Sequence, residues 1–578
     1  MNLKQEIKII IKDACQAVWP EREIGLKDIE ASRPPAGFGD YSTNVALSLA
    51  KTAKKSPLET AEDLAEQIRK SEKSGYFEKI EAASPGFINF HLSEQALEEV
   101  AKDILGKKEF FGMSNLGGGS QAMVEFGQPN THKAITVGHL KSAISGFSVV
   151  KLLEALGYKV IKANYFGDIG MHVAKTTWAM MKKELPKEFE DRESGEKMKL
   201  IDEAYVEGAN AFKENPAAQE EIRKINKDIY DQKDNENYRW YKKIREWSLE
   251  HQAEVFKELG VEYDRQYPES EVFEEAIDIV KKYQGEIFEE SEGAVIFNGK
   301  KEGLNNWVFL TGEGNPTYSA KDLALALKKF SEYELEFSIV TTSVEQTDYF
   351  KAIIRVLEKI DKKFQGRYRH IPFGWLLKGN KKTSSRMGET AKCIDVIKEA
   401  KELAREKISV EKDYSLEEKE EIIEKVALAG LKFLILSREF HKDINYDPND
   451  FIKLSGFSGP FILYSYVRTK SVLGKVGSGD SGGEVHLNLV KNEERELAGA
   501  LAAYPDIAEK AGTEIAPHLV CNYLYDLGQK FNAFYEVCPI QKADTEALKN
   551  SRLALVKSSG QIFKNGLGLL GIETLEKM

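Results

Sequence analysis

Apolar positions along the chain change their spacing several times, and each change marks an element. Leu3, Ile7, Ile10 and Ile11 fall three and four apart, which predicts an amphipathic helix. Glu6, Lys8, Lys12 and Asp13 interrupt it too often for the core of a secretory leader. Residues 33–40 (RPPAGFGD) predict a Pro/Gly loop, residues 43–70 carry a helical pattern, and residues 86–92 (GFINFHL) alternate like a strand. Gly117, Gly118 and Gly119 then predict a linker. The apolar run at 122–126 (AMVEF) reads as a short strand. A loop follows it, then a helix from about His139 to Leu156 stopped by Gly157, then a second strand at 158–166 (YKVIKANYF). A β–loop–α–β unit of this kind is right-handed when its strands run parallel. Residues 176–260 are charged and helical in period, alternation returns at 295–310 and 337–342, and a charged helical stretch follows Glu389. From about Asp443 the chain reads as mostly helix, over 464–473, 498–503, 518–537 and 545–563, with a flexible Gly/Ser loop at 477–483. No internal repeat is visible.

Length and composition narrow the class. The chain has 578 residues, enough for about three to five domains at roughly 100–200 residues each. Apolar residues make up 42% and charged residues 30%, which excludes a disordered or disulfide-stapled chain. Lys and Arg number 82 against 93 Asp and Glu, a net charge of −11. That balance argues against a general polyanion-coating protein but leaves room for a locally basic nucleic-acid site. Cys15, Cys393, Cys521 and Cys538 lie far apart with no CxxC pair, so reduced thiols and no structural zinc are expected. No run of about 18 uncharged apolar residues predicts a membrane span. The cytoplasm is the expected location.

Two segments carry phosphate chemistry. The first predicted strand leads into Pro129-Asn130-Thr131-His132-Lys133 and then Thr136-Val137-Gly138-His139 at a helix start. A helix N-terminus presents unpaired N–H groups and the positive end of its dipole, which suits a nucleotide phosphate chain. Gly138 allows close approach to the backbone, and Lys133 and His139 add donors. A capped crossover helix with an incidental histidine fits that segment alone equally well. The second segment, Lys378 to Arg386 (KGNKKTSSR), gathers cations and hydroxyls on a Gly-flanked loop that can close over a triphosphate. Taken alone, it would be a solvated turn.

Together the two segments resemble the HIGH and KMSKS signatures of class I aminoacyl-tRNA synthetases, standing here as Thr136-Val137-Gly138-His139 and Lys382-Thr383-Ser384-Ser385-Arg386. Further segments, in collinear order, narrow the resemblance to the arginyl-tRNA synthetase family. They are Glu125 to Ser142, Asn164-Tyr165-Phe166-Gly167-Asp168-Ile169-Gly170, Pro268-Glu269-Ser270, Tyr318-Ser319-Ala320-Lys321-Asp322-Leu323, Val344 to Phe350, and Phe373-Gly374. Residues 39–46 and 85–90 look like that family's N-terminal tRNA-binding domain. Residues 459–464, Arg468 and residues 566–572 look like its helical anticodon-binding domain.

The resemblance implies a fold, an activity and a set of roles. The fold is α/β: a Rossmann-type parallel-sheet catalytic domain over residues 116–390 with a helical insertion at about 176–260. An N-terminal α+β domain (1–115), a helical connector (391–450) and a C-terminal all-α helical bundle (451–578) complete it. The implied activity is that of an arginine–tRNA ligase, which activates L-arginine with ATP and transfers it to tRNA(Arg), as a monomer. A guanidinium offers five donors in a fixed plane, so acidic acceptors suit it. The family pattern puts Glu269, Tyr318 and Asp322 around the guanidinium, and Glu125, Asn130, Gln346 and His139 near the α-amino and carboxylate groups. It gives ATP to Thr136, Gly138, His139, Lys382, Ser384 and Ser385, the α-phosphate to Lys133, and the departing pyrophosphate to Lys382 and Arg386. Mg²⁺ would ride on the phosphates, with no metal site of the protein's own. Phe87 and Asn89, and Tyr464 and Arg468 (with Tyr466 as a further candidate), are the expected tRNA contacts. The sequence departs from the family at Thr136, where the first HIGH histidine belongs, at Ser385, where a lysine belongs and Lys133 would compensate, and at Ile169 and His172. A catalytically impaired tRNA-binding paralogue, another class I synthetase or a small adenylyltransferase are the alternative readings.

Overall fold

The computed structural model describes residues 3–35, 37–379, 391–408, 414–476 and 485–577. Five strands form the central sheet: β1 (Gln121–Glu125), β2 (Lys159–Phe166), β3 (Arg265–Pro268), β4 (Leu335–Ser343) and β5 (Tyr368–Phe373). Their order across the sheet is β5-β4-β1-β2-β3, and every neighbouring pair is parallel. Ala122, Met123 and Val124 are all fully buried. A parallel strand covered on both faces needs such an unbroken apolar run in place of alternation. The strand order reverses between β1 and β4. Connections leave in opposite directions there, so a crevice opens beyond the C-terminal strand ends.

Helix α1 (Val137–Ala155) crosses from β1 to β2 and is buried along most of its length. It is apolar nearly all round because the sheet covers one face and the C-terminal helices the other. Ser148 Oγ on α1 lies 3.4 Å from the Leu569 carbonyl, which marks that second contact. The charged stretch 176–260 folds as helices Met171–Met181, Ser194–Glu214, Pro216–Tyr230 and α2 (Glu236–Glu258). After β3 come α3 (Tyr318–Glu332), α4 (Thr347–Ile360) and α5 (Cys393–Lys407).

Two expectations change. The helical pattern at 43–70 is interrupted: Tyr41–Thr43 is a strand, and two helices follow, Val45–Ala53 and Pro57–Arg69. Ser56 accepts a hydrogen bond from the Glu59 N–H at 3.2 Å, and Pro57 takes the first helical position, so the chain stops and restarts there. The strand Tyr41–Thr43 pairs antiparallel with Phe87–Leu92, which also pairs with Phe77–Ala83, and helices cover this small sheet. From Asp443 the chain begins with a strand, Ile444–Tyr446, running parallel to Leu376–Lys378. Ile444 and Tyr446 face the core and Asn445 faces out, a period of two that helix reading misses. The remainder is helical: Gly459–Val476, Asn492–Glu514, Pro517–Val537 and Glu546–Leu569. Inside this bundle the Arg552 Nε donates to Glu494 Oε1 at 2.6 Å, with both side chains buried. The four cysteines are free and buried. Among the described residues no helix is long and apolar enough to cross a membrane.

Candidate active site

A cavity of about 920 Å³ opens at the C-terminal ends of the parallel strands. Its walls come from the turns that follow them. Glu125 ends β1, Gly167 follows β2, Glu269 follows β3, Gln346 follows β4 and Phe373 ends β5, and all five line it. The strand-order reversal is what brings residues so distant in sequence to one crevice.

The hydrogen-bond-donor side of the cleft is built at the start of α1. The Thr136 N–H donates to His139 Nδ1 at 3.0 Å, and Thr136 Oγ1 lies 3.0 Å from the same nitrogen. Accepting that bond leaves Nδ1 bare, so the neutral ring carries its proton on Nε2. Burial, and secondarily the charge of Lys133, push the His139 pKa down to about 3. The imidazole is thus a neutral donor across the physiological range. A Cβ placed on Gly138 would meet only Thr136 Oγ1, at 3.7 Å, so the helix start is open backbone there. Lys133, in the loop before this turn, is half-buried and outside the cavity lining, near enough for its charge to act on His139. Burial lowers its pKa, and no charged group among the described residues offsets that effect. A desolvated ammonium without a counter-ion is a ready partner for an anion.

The acidic side comes from β1, the turn after β3, and α3. Thr317 caps α3 by accepting from the Ser319 N–H at 3.2 Å. Tyr318 and Asp322, one helical turn apart, both line the cavity. Tyr318 is 59% exposed, its ring centroid 5.3 Å from that of Tyr349. The Tyr349 hydroxyl donates to Asp322 Oδ2 at 2.5 Å. Burial pushes the Asp322 pKa up to about 7; the Tyr349 hydrogen bond opposes this, and Glu125 and Glu269 add to it. Glu269 accepts from Lys321, and Glu125 accepts from Lys329 and, at 2.6 Å, from Gln128 Nε2. Burial raises the Glu269 pKa even with Lys321 beside it. Asp168 braces the turn that carries Glu269. It accepts from Ser270 N at 2.9 Å, Ser270 Oγ at 2.8 Å and Arg245 Nε at 2.9 Å. Asn130 Oδ1 accepts from the Gly167 N–H at 3.0 Å. A Cβ on Gly167 would stand 2.9 Å from Asn130 Oδ1 and 3.0 Å from Glu269 Oε2, so only glycine leaves that gap open.

The cleft therefore gathers Glu125, Asn130, Thr136, Gly138, His139, Glu269, Tyr318, Asp322 and Gln346. Lys382, Ser384, Ser385 and Arg386 lie outside the described residues. The chain after them returns to the His139 turn. The Val137 N–H donates to the Ala391 carbonyl at 3.1 Å, and the Cys393 N–H to the Ile135 carbonyl at 2.9 Å. Before them, Leu376 lines the cavity. Sequence reasoning gave no role to Lys321, Lys329, Arg245 or Tyr349, because each acts through a tertiary partner. A lysine on the apolar face of α3 is the faint signal of the first two.

None of the expected tRNA contacts lines this cavity. Phe87 is 37% exposed, whereas Asn89 is buried at 4%. Tyr464 and Arg468 stand one turn apart on an outer face, with Arg468 Nη2 donating to the Tyr464 hydroxyl at 2.8 Å and Nη1 to Asn532 Oδ1 at 2.7 Å. Tyr466 is buried in the bundle. No group of three or more His, Cys, Asp or Glu able to hold a metal occurs among the described residues.

Comparison with known proteins identifies the family. The family described as tRNA synthetases class I (R), catalytic domain, matches residues 101–447. The arginyl tRNA synthetase N terminal domain matches residues 2–92, and the DALR anticodon binding domain residues 462–578. The arginine–tRNA ligase of Lactobacillus johnsonii is 31% identical over 584 residues, covering 100% of both chains. That of Clostridium botulinum is 32% identical over 552 residues, covering 94% of this chain and 95% of its own. The Thermus thermophilus arginyl-tRNA synthetase structure superposes with a TM-score of 0.81 at 23% identity over 100% of both chains.

Proposed function

The chain belongs to the arginine–tRNA ligase family, and from that premise we propose that its cleft performs the two steps of arginine charging with its own residues in stated roles. In the first step the arginine carboxylate attacks the α-phosphate of ATP; the bond to the β-phosphate breaks and pyrophosphate leaves, giving arginyl-adenylate. In the second, a hydroxyl of the terminal adenosine of tRNA(Arg) attacks the activated carbonyl and AMP departs. Neither step needs a covalent bond to the protein, so catalysis is positioning and charge stabilisation.

The guanidinium takes Glu269, Tyr318 and Asp322, and Asn130, Gln346 and Glu125 hold the α-amino and carboxylate end. His139 offers Nε2–H, and the open backbone at Gly138 takes the phosphate chain. Thr136 acts on ATP chiefly by orienting His139. Lys133 pairs with the α-phosphate region, and Lys382 and Arg386 act on the leaving pyrophosphate, with Ser384 and Ser385 beside ATP. The return of the chain to Val137 at Ala391 supports that last assignment. Mg²⁺ would be carried on the phosphates. Phe87, Tyr464 and Arg468 are the tRNA contacts that exposure favours, and Asn89 would have to become uncovered first. We take the working form to be a cytoplasmic monomer, organised as an elbow-binding N-terminal unit (residues 1–115), the catalytic unit (116–390), a connector (391–450) and an anticodon-binding bundle (451–578).

The observation that carries this reading is the convergence of Glu269, Tyr318 and Asp322 with the His139 turn on one crevice. ATP–pyrophosphate exchange, run with each amino acid with and without tRNA(Arg), tests it. Exchange with arginine alone, appearing or rising sharply with the tRNA, is expected. Exchange with a different amino acid, or none with tRNA still bound, would overturn it.

A further inference from the structure

Helix α3 brings more to the cleft than Tyr318 and Asp322. Lys321 precedes Asp322, and Lys329 follows it by seven residues, two helical turns, so Asp322 and Lys329 share a stripe. Lys329 is fully buried and Lys321 is 8% exposed. Each has one carboxylate: Lys329 pairs with Glu125 at the end of β1, and Lys321 with Glu269 after β3. Asp322 pairs with neither, and its hydrogen bond comes from the uncharged Tyr349 hydroxyl. The groups facing Asp322 from the surrounding elements are Glu125 on β1, Tyr165 on β2, Glu269 after β3, Tyr349 on α4, Tyr368 on β5, and Lys329 on its own helix.

Resting on the arginine reading above, we infer that Lys329 and Lys321 are positioning residues whose charges cancel Glu125 and Glu269 and leave Asp322, among the described residues, the one desolvated cleft carboxylate without a lysine (Glu345, the fourth in the lining, is exposed), so that the buried part of the cleft takes a single side-chain cation. Three desolvated carboxylates side by side do not all ionise without counter-charges, because like charges in a shared site hold a proton between them. Two tethered ammonium groups lift that constraint for two of them. The remaining anion matches the guanidinium, since the α-amino and α-carboxylate charges of free arginine cancel each other. Lys329 also fixes Glu125 against Gln128, setting the floor of the cleft. Removing Lys329 returns Glu125 and Asp322 to competition for one proton.

Two measurements test this. Arginine is titrated calorimetrically into the full-length protein at pH 6 in two buffers of different ionisation enthalpy, which gives the protons released per ligand bound. About one is expected, from Asp322 alone; none, or about two, overturns the inference. The second follows log KM for arginine against pH in the exchange assay. The acid limb should have unit slope in the parent, a slope approaching two in Lys329→Met, and unit slope again in Lys329→Arg. A residue serving only the fold would move KM without changing the slope, so unit slope in Lys329→Met overturns the assignment. Should Lys329→Met not fold, the calorimetric proton count decides. A parent that binds no arginine fails the arginine reading itself, a result distinct from arginine binding with the wrong proton count.

Discussion

Replacing Asp322 by Asn changes one charge and almost no volume. Tyr349 donates to Oδ2 of this residue at 2.5 Å, and an amide oxygen can accept the same bond, so the site keeps its shape. What goes is the desolvated cleft carboxylate that no lysine pairs with among the described residues. Losing one partner of a desolvated charge pair costs about 2–5 kcal/mol. At ~1.4 kcal/mol per decade, that lowers arginine affinity at pH 8 by roughly 30-fold or more. The fold should respond the other way. Burial raises the Asp322 pKa from 3.8 to about 7, so its ionised form destabilises the free protein. That penalty is absent below the unfolded value, grows as pH rises from 3.8 to about 7, and stays constant above. Its upper bound is ~4 kcal/mol at 1.36 kcal/mol per unit, and Asn removes it. Asp322→Asn should therefore melt higher than the parent at pH 8 and bind arginine worse. Arginine binding must also expel the Asp322 proton below about pH 7, so the parent KM should rise about tenfold per unit there while the variant stays flat. The assay is arginine KM in tRNA-supported pyrophosphate exchange from pH 5.5 to 8.5, with melting followed by circular dichroism. A variant KM within threefold of the parent at pH 8 would falsify the reasoning.

The other expectations follow from single contacts. Lys133→Met should lower the exchange rate by about 10²–10³-fold, as loss of one preorganised donor to developing phosphate charge does, and leave arginine affinity within severalfold; calorimetry of arginine alone separates the two. Thr136→Val keeps the N–H that orients His139 and deletes only the hydroxyl, so its exchange rate should fall by less than about tenfold, far less than for His139→Ala; equal losses would show that the hydroxyl contacts ATP directly. Arg468→Ala should weaken tRNA binding and reduce the salt slope by about one without changing arginine affinity, which filter binding at several salt concentrations reads. Arg552→Ala strands the buried Glu494 carboxylate and should cost about 3–5 kcal/mol of stability in urea unfolding.

Much of the fold was legible because its signals are local. The apolar run at 122–126, the loop with Gly138 and the helix stop at Gly157 each report a backbone requirement within a few residues, and β1, α1 and β2 form where those signals stand. The pattern at 43–70 is helical as expected but broken into two helices for a local reason: their periodicity runs on across Ser56-Pro57, where the cap and proline mark the restart. The three-residue strand at Ile444 was beyond reach, since its pairing with Leu376–Lys378 decides it and one alternation over three residues is too short to tell strand from helix. The cleft divides the same way. Tyr318 and Asp322 were named by the family resemblance, and their spacing of one helical turn agrees with a shared face. Glu125 and Lys329 are 204 residues apart and meet because β1 lies beside β4, the strand that follows α3. Nothing in either segment alone records that.

On the proposed assignment of roles, the cleft would also orient its substrate. Its desolvated carboxylates come from β1, the turn after β3, and α3, while the start of α1 contributes the open backbone at Gly138 and the neutral His139 donor, with the Lys133 charge nearby. In a crevice of low dielectric, a zwitterion carrying an extra side-chain cation gains only by pointing that cation at the acids and its carboxylate toward the donors. That is the direction in which the carboxylate meets the α-phosphate. Positioning and attack are thus served by one charge separation, and the separation follows from topology: β1 and β4 flank the switch point, and their following elements cannot share a side of the sheet. An acidic chain with a net charge of −11 is accordingly no obstacle to ATP in this cleft, because the field a ligand meets there is set by the few groups around it and not by the sum.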